Sequence, residues 1–146
     1  MKKPAINRRS YCPVTFALDI IGDRWALLII RDILFLGKSN FGDFAKSPEG
    51  IATNILTDRL KRLEGQNIIA KNPDENNLSK YVYSLTDKGL DLLPIMVEMI
   101  LFSEKHDLET AASKSTLKKI RTNKNKFIKE LRQKHKTAFK NNLQGG

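Results

Sequence analysis

The strongest constraint on the fold of this chain is a change in the repeat of its apolar residues. Helical spacing over residues 14–64 gives way to two short β-prone runs over 68–85 and returns from residue 90 onward. A helix brings residues three and four apart onto one face, whereas a strand alternates faces, so one kind of element cannot accommodate both patterns. In residues 14–36 two apolar stripes meet at Gly22-Asp23, which predicts a short helix, a break and a longer helix ending at Gly37. Phe16, Ala17, Ile20 and Ile21 share one face of the first helix. Trp25, Leu28, Ile29, Asp32 and Ile33 recur at helical spacing in the second, most of which must be buried.

Ser39 or Asn40 can cap a brief helix through Phe41 and Phe44, and Pro48-Glu49-Gly50 stops it before another helix begins near Ala52. Over 52–64 the residues Ile55, Leu56, Leu60 and Leu63 fall on one side, and Asn54, Thr57, Asp58, Lys61 and Arg62 on the other, with Thr53 at the margin. Residues 68–72 and 80–85 flank the polar stretch Pro73-Asp74-Glu75-Asn76-Asn77 and read as a β-hairpin. Thr86 is then expected to cap a long apolar helix from Leu90 to about His106, bent by Pro94. Beyond it, Leu117, Ile120, Phe127, Ile128, Leu131, Ala138 and Phe139 keep a roughly helical spacing in a basic amphipathic segment.

Charge is divided unequally between these parts. Residues 1–110 hold 15 Lys+Arg against 15 Asp+Glu, while residues 111–146 hold 11 against 1, so the final segment carries the whole net charge of +10. A polyanionic partner is implied, but recognition by the neutral body must rest on local geometry. The single cysteine, Cys12, excludes an intramolecular disulfide and a cysteine-rich zinc cage. No run of signal-peptide or membrane-spanning length occurs, which leads us to expect a cytoplasmic protein with no membrane partner.

The order helix, helix, short helix, turn, helix, hairpin, helix is that of a winged helix-turn-helix, a mainly α fold with a small β-hairpin wing (α+β). In that fold the second helix of the turn motif enters the major groove of double-stranded DNA and the hairpin reaches the adjoining backbone or minor groove. Asn54 suits a bidentate contact with adenine, Thr53 and Thr57 suit base edges, the thymine methyl or phosphate, and Lys61 suits guanine or phosphate. Arg62 and Lys46 are placed as phosphate clamps, and Lys71 and Lys80 flank the hairpin tip. Asp58 would be repelled by phosphates unless it accepts from cytosine or pairs with Arg62 one turn on; we favour the ion pair.

Several stretches also resemble one family. They are Cys12-Pro13, residues 17–25 and 27–32, Phe41-Gly42-Asp43-Phe44, Gly50-Ile51, residues 56–64, residues 83–89 and Leu92-Leu93-Pro94-Ile95. In this order they resemble the HxlR-type transcriptional regulators over residues 12 to about 107. The resemblance implies a homodimer paired through its N- and C-terminal helices on a two-fold symmetric operator, acting as repressor or activator. It leaves room for a small-molecule or electrophile effector. Cys12 resembles the N-terminal cysteine through which some members sense oxidants, and its closeness to Arg8, Arg9 and a helix start would lower its pKa. Trp25 reads as core, with a ligand pocket between subunits as the lesser alternative. Met96, Met99 and Phe102 read first as dimer packing, with an effector pocket as the lesser alternative. The basic extension exceeds the usual family length.

The chain thus divides into an N-terminal arm (1–11), a DNA-binding and dimerisation domain (12–109) and a basic extension (110–146). No nucleophile with a base, paired carboxylates, metal cluster or phosphate-binding glycine loop occurs at useful spacing, so neither catalysis nor a cofactor or metal is expected. The alternative to a DNA regulator is an adaptor that binds protein or membrane surfaces through the basic extension.

Overall fold

The computed structural model describes residues 9–144, with side chains to residue 141; the arm through Arg8 and the last two glycines lie outside the described residues. Helix α1 (Pro13–Ile21) begins with a proline, which suits a first turn whose N–H groups have no partner in the helix. Asp23 caps α2 (Arg24–Leu36) by accepting from the Ala26 N–H at 2.9 Å, and Gly37 ends it in the left-handed region at φ 65°. Asn40, not Ser39, caps α3 (Phe41–Ala45), accepting from the Asp43 N–H at 2.9 Å. Helix α4 (Thr53–Gly65) completes the helix-turn-helix. Strands β1 (Ile69–Asp74) and β2 (Asn77–Leu85) pair antiparallel, from Ile69 opposite Leu85 to an irregularity at Pro73/Asp74 beside the tip.

The long bent helix expected from Leu90 is instead two helices. Thr86 caps the single turn α5 (Asp87–Leu90), and α6 (Leu93–His106) starts afresh with Pro94 in its first turn. Mid-helix, Pro94 would leave a carbonyl unpaired and crowd it; at a helix start its missing N–H costs nothing. Gly89 permits this arrangement, because a Cβ there would lie 2.1 Å from the Ile68 carbonyl oxygen.

Helix α2 runs through the core, and its Ala26, Ile29, Ile30, Ile33 and Leu34 meet Leu56, Leu60 and Leu63 of α4, Ile69, Tyr83 and Leu85 of the hairpin, and Leu93 and Val97 of α6. Of the face that Phe16, Ala17, Ile20 and Ile21 share, Ile21 is buried and Phe16 exposed, because α1 touches the core by its C-terminal end. One expectation about packing fails. Met96 is 6% exposed and turned into the protomer's own core with Leu93 and Val97, so it is not available to a second copy; Met99 and Phe102 are exposed at 46% and 68%. The apolar residues of α6 form two stripes on different sides of the helix, and only one of them faces the core.

Asp32 lies on the buried stripe of α2 and is 2% exposed. A carboxylate is held in such a place only by charge and hydrogen bonds. Arg31 donates to it at 2.7 and 3.0 Å, the Ser47 hydroxyl donates at 2.6 Å, and the Lys38 ammonium lies 3.7 Å away. Arg31 also grips Glu49 with two hydrogen bonds, of 2.9 and 2.7 Å, and holds its carboxyl below the ordinary range. Ser47 and Glu49 belong to the link between α3 and α4, so this cluster ties the turn of the helix-turn-helix to α2.

The basic extension folds into α7 (Lys114–Thr122) and α8 (Lys124–Gln144), which lie against the same core. Leu117 and Ile120 are buried, and Phe127, Ile128 and Leu131 pack beside them. Four ion pairs join the extension to α5, α6 and the turn between them in strictly antiparallel order: Arg121 with Glu104, Lys124 with Glu98, Arg132 with Asp91 and Lys136 with Asp87. Pairs this exposed contribute at most about 1 kcal/mol each. Burying Leu117 and Ile120 contributes about 1.5–3 kcal/mol apiece, so apolar contact holds the extension down and the pairs set its register. His135 adds a hydrogen bond to the Leu34 carbonyl at 3.0 Å; a carbonyl only accepts, so Nε2 carries the proton.

Candidate nucleic-acid interface

Burial along α4 follows its helical repeat. Leu56, Leu60 and Leu63 face α2 and the hairpin, while Thr53, Asn54, Thr57, Lys61 and Arg62 are exposed. The Thr57 hydroxyl donates back to the Thr53 carbonyl at 2.9 Å, which fixes its rotamer and leaves its oxygen lone pairs and methyl group to meet a ligand. Lys46, at the C-cap of α3, is exposed on the turn that leads into α4.

Asp58 is neutralised from two sides. Arg62 reaches it at 2.9 Å from one turn on, as the sequence suggests, and Arg59 reaches it at 2.6 Å. Arg59 continues to Asp23, with contacts of 2.7 and 3.3 Å. The same Asp23 carboxylate caps α2. Partial burial pushes the Asp23 carboxyl up, but the Arg59 hydrogen bond and charge, the Ala26 N–H and the Arg62 charge together hold it below its ordinary value. A continuous chain Asp23–Arg59–Asp58–Arg62 therefore joins the start of α2 to the exposed side of α4. Sequence reasoning missed Arg59 and Asp23, which lie 36 residues apart and share no local spacing signal.

On the hairpin, Lys71 and Lys80 are both exposed. The Lys71 ammonium sits 4.0 Å from the centre of the Tyr81 ring, which holds this cation at the wing. The Tyr83 N–H donates to the Ser39 carbonyl at 2.7 Å and anchors the base of the wing to the link between α2 and α3. The predicted DNA-contacting residues thus lie on three neighbouring elements, α3, α4 and the hairpin.

Cys12 stands apart from them, exposed at the N-cap of α1. Its thiol is held below the ordinary value by the backbone N–H groups of Thr15 and Val14 and by the Thr15 side chain, while Arg8 lies outside the described residues. The space beside Trp25, bounded by Ile29, Phe44 and Ile51, is about 10 Å³, no more than one water needs. An effector does not fit there within one protomer. Among the described residues no group of three or more His, Cys, Asp or Glu is placed to hold a metal ion, and no helix is long and apolar enough to cross a membrane.

A profile of the family described as HxlR-like helix-turn-helix matches residues 20–110. The chain belongs to that family. This HxlR-like protein is 31% identical over 105 residues to YybR of Bacillus subtilis (strain 168), an HTH-type transcriptional regulator, covering 72% of this chain and 83% of YybR. Among solved structures it is similar to PA1607, described as a transcription factor, with 40% identity, a TM-score of 0.63 and coverage of 73% of this chain and 72% of that one. It is also similar to the oxidised form of the redox regulator HypR, with 32% identity, a TM-score of 0.58 and coverage of 65% and 97%. As an HxlR-like protein it is a DNA-binding transcriptional regulator, and its role is regulatory and not catalytic.

Proposed function

We propose that this protein acts in the cytoplasm as a homodimer that recognises a two-fold symmetric operator, with one α4 in each of two successive major grooves. The observation that carries this reading is the side of α4 that combines exposed Thr53, Asn54, Thr57 and Lys61 with an Asp58 already neutralised by two arginines. Asn54 and Thr57 read base edges, and Thr53 and Lys61 contact base or phosphate. Lys46, Arg62, Lys71 and Lys80 hold the backbone. Exposed Val14 and Leu18 of α1, with Ile95, Met99 and Phe102 of α6, supply the apolar surface for pairing. Selection of bound fragments from the source genome, followed by footprinting, tests the reading: a palindromic site is expected. Asn54→Ala should relax preference at particular base pairs while Lys80→Ala weakens all sequences alike. A protein that binds every fragment equally would overturn it.

We infer a second property from Cys12. An exposed thiol of lowered pKa at a helix start, together with likeness to a redox regulator, supports sensing of oxidants or electrophiles. With one cysteine per chain, the product is an intersubunit disulfide or an adduct on the thiol, and not a disulfide within the chain. Operator binding that changes on diamide treatment in the parent protein and not in Cys12→Ser supports this; an unchanged response in the variant refutes it.

A further inference from the structure

The fold sorts the cations of the basic extension into two sets. Arg121, Lys124, Arg132 and Lys136 are committed to acids of the body, and Lys126 faces Glu130 at 4.0 Å. Lys114, Lys118, Lys119, Lys129, Lys134 and Lys140 are exposed and have no ion-pair partner among the described residues. The one acid of the extension, Glu130, is already paired, so its solvent side is a surface of unopposed positive charge. It is also a firm surface, because Leu117, Ile120 and the antiparallel ion pairs hold both helices against the body. Lys129 and Lys140 differ by about three helical turns and so share one side, about 16 Å apart along the axis.

The chemistry of that side separates the polyanions that would fit it. Lys126, Lys129, Gln133, Thr137 and Lys140 line the outer side of α8, and among the described residues of α7 and α8 no large apolar side chain is exposed. Stable docking of an amphipathic helix at a membrane surface buries an apolar face in the lipid, and a basic surface without one is held only by headgroup charge. A specific protein interface requires apolar or aromatic anchors at its centre. Duplex phosphates require cations alone, and contacts to them are independent of sequence.

We propose that the solvent side of α7 and α8 is a second duplex-binding surface, on which these six lysines grip DNA phosphates without reading bases. It goes beyond operator recognition by α4 and is tested with DNA that contains no operator. Binding of the full chain to a mixed-sequence 30-base-pair duplex is measured by fluorescence anisotropy between 50 and 200 mM KCl. The comparison is a full-length variant with Lys→Gln at all six positions. At 50 mM KCl the variant is expected to bind about tenfold or more weakly, and its salt slope to flatten by about 0.9 for each phosphate that the lysines no longer neutralise. Because this duplex holds no operator, the outcome is read independently of the palindromic site expected of α4, and failure of one reading leaves the other standing.

The six lysines hold no ion pair that supports the fold, so thermal unfolding of the variant should match the parent. If it does not, Lys114/Lys118/Lys119 and Lys129/Lys134/Lys140 are neutralised as separate triplets, each expected to give part of the slope change. Parental affinity and slope in the folded variants would overturn the proposal. So would lysine-dependent binding to phosphatidylserine-containing vesicles without any lysine-dependent duplex binding. Truncation at residue 110 is no substitute, since it strips Leu117 and Ile120 from the core.

Discussion

Asp23 performs two tasks with one carboxylate, and substitutions can separate them. Its Oδ2 accepts from the Ala26 N–H at 2.9 Å as the cap of α2 and from Arg59 Nε at 2.7 Å as the anchor of α4. Loss of a capping oxygen costs about 1 kcal/mol. The ion pair is partly exposed, with side-chain accessibilities of 34% and 21%, and so contributes about 0.5–1 kcal/mol. Asp23→Ala should therefore cost about 1.5–2 kcal/mol, whereas Asp23→Asn, which keeps the cap and loses the charge, should cost about 0.5–1 kcal/mol. For a chain of this length those figures correspond to falls in Tm of about 5 °C and 2–3 °C, read by circular dichroism. Arg59→Met removes the same pair from the other side, so the double variant Asp23→Asn/Arg59→Met should cost about 0.5 kcal/mol less than the sum of the singles. The folded-state pKa of Asp23 is depressed. Its contribution is thus present above the ordinary value of 3.8 and lost as pH falls through the folded-state value, a limb that Asp23→Asn should lack. Equal costs for Asp23→Ala and Asp23→Asn, or strict additivity in the double variant, would refute this division of tasks.

Ser47→Ala removes a 2.6 Å donor from buried Asp32 and should cost about 1.5–3 kcal/mol in urea unfolding, toward the lower figure because Lys38 stands ready to move onto the vacated oxygen. Asp58→Asn releases Arg59 and Arg62 from their shared partner, and should raise affinity for all duplexes and steepen the salt dependence of binding. Burial and the nearby Lys134 charge hold the His135 pKa below 6.5, although the Leu34 hydrogen bond opposes them. The unfolded chain therefore takes up the proton first, and stability falls as pH drops below about 6.5 toward the folded-state value; His135→Gln should remove that dependence from a series of thermal unfolding curves.

What the sequence alone determined is local. The order of elements as far as the hairpin, the apolar and polar sides of α4, a cap at Ser39 or Asn40 and another at Thr86, and the pairing of Asp58 with Arg62 all follow from spacings of four residues or fewer, which helix and strand geometry convert directly into neighbours. The excess of cations after residue 110 is likewise a matter of counting. Tertiary structure decided whatever depends on which faces meet. It made Met96 core while Met99 stayed exposed, set Asp32 against Ser47, and joined Asp23 to Arg59. It also turned Pro94 from a bend into a beginning and laid the extension antiparallel along α5 and α6. An apolar stripe says only that a helix buries one side. Which partner covers it, and which charges are thereby brought within hydrogen-bonding reach, is settled when distant segments pack.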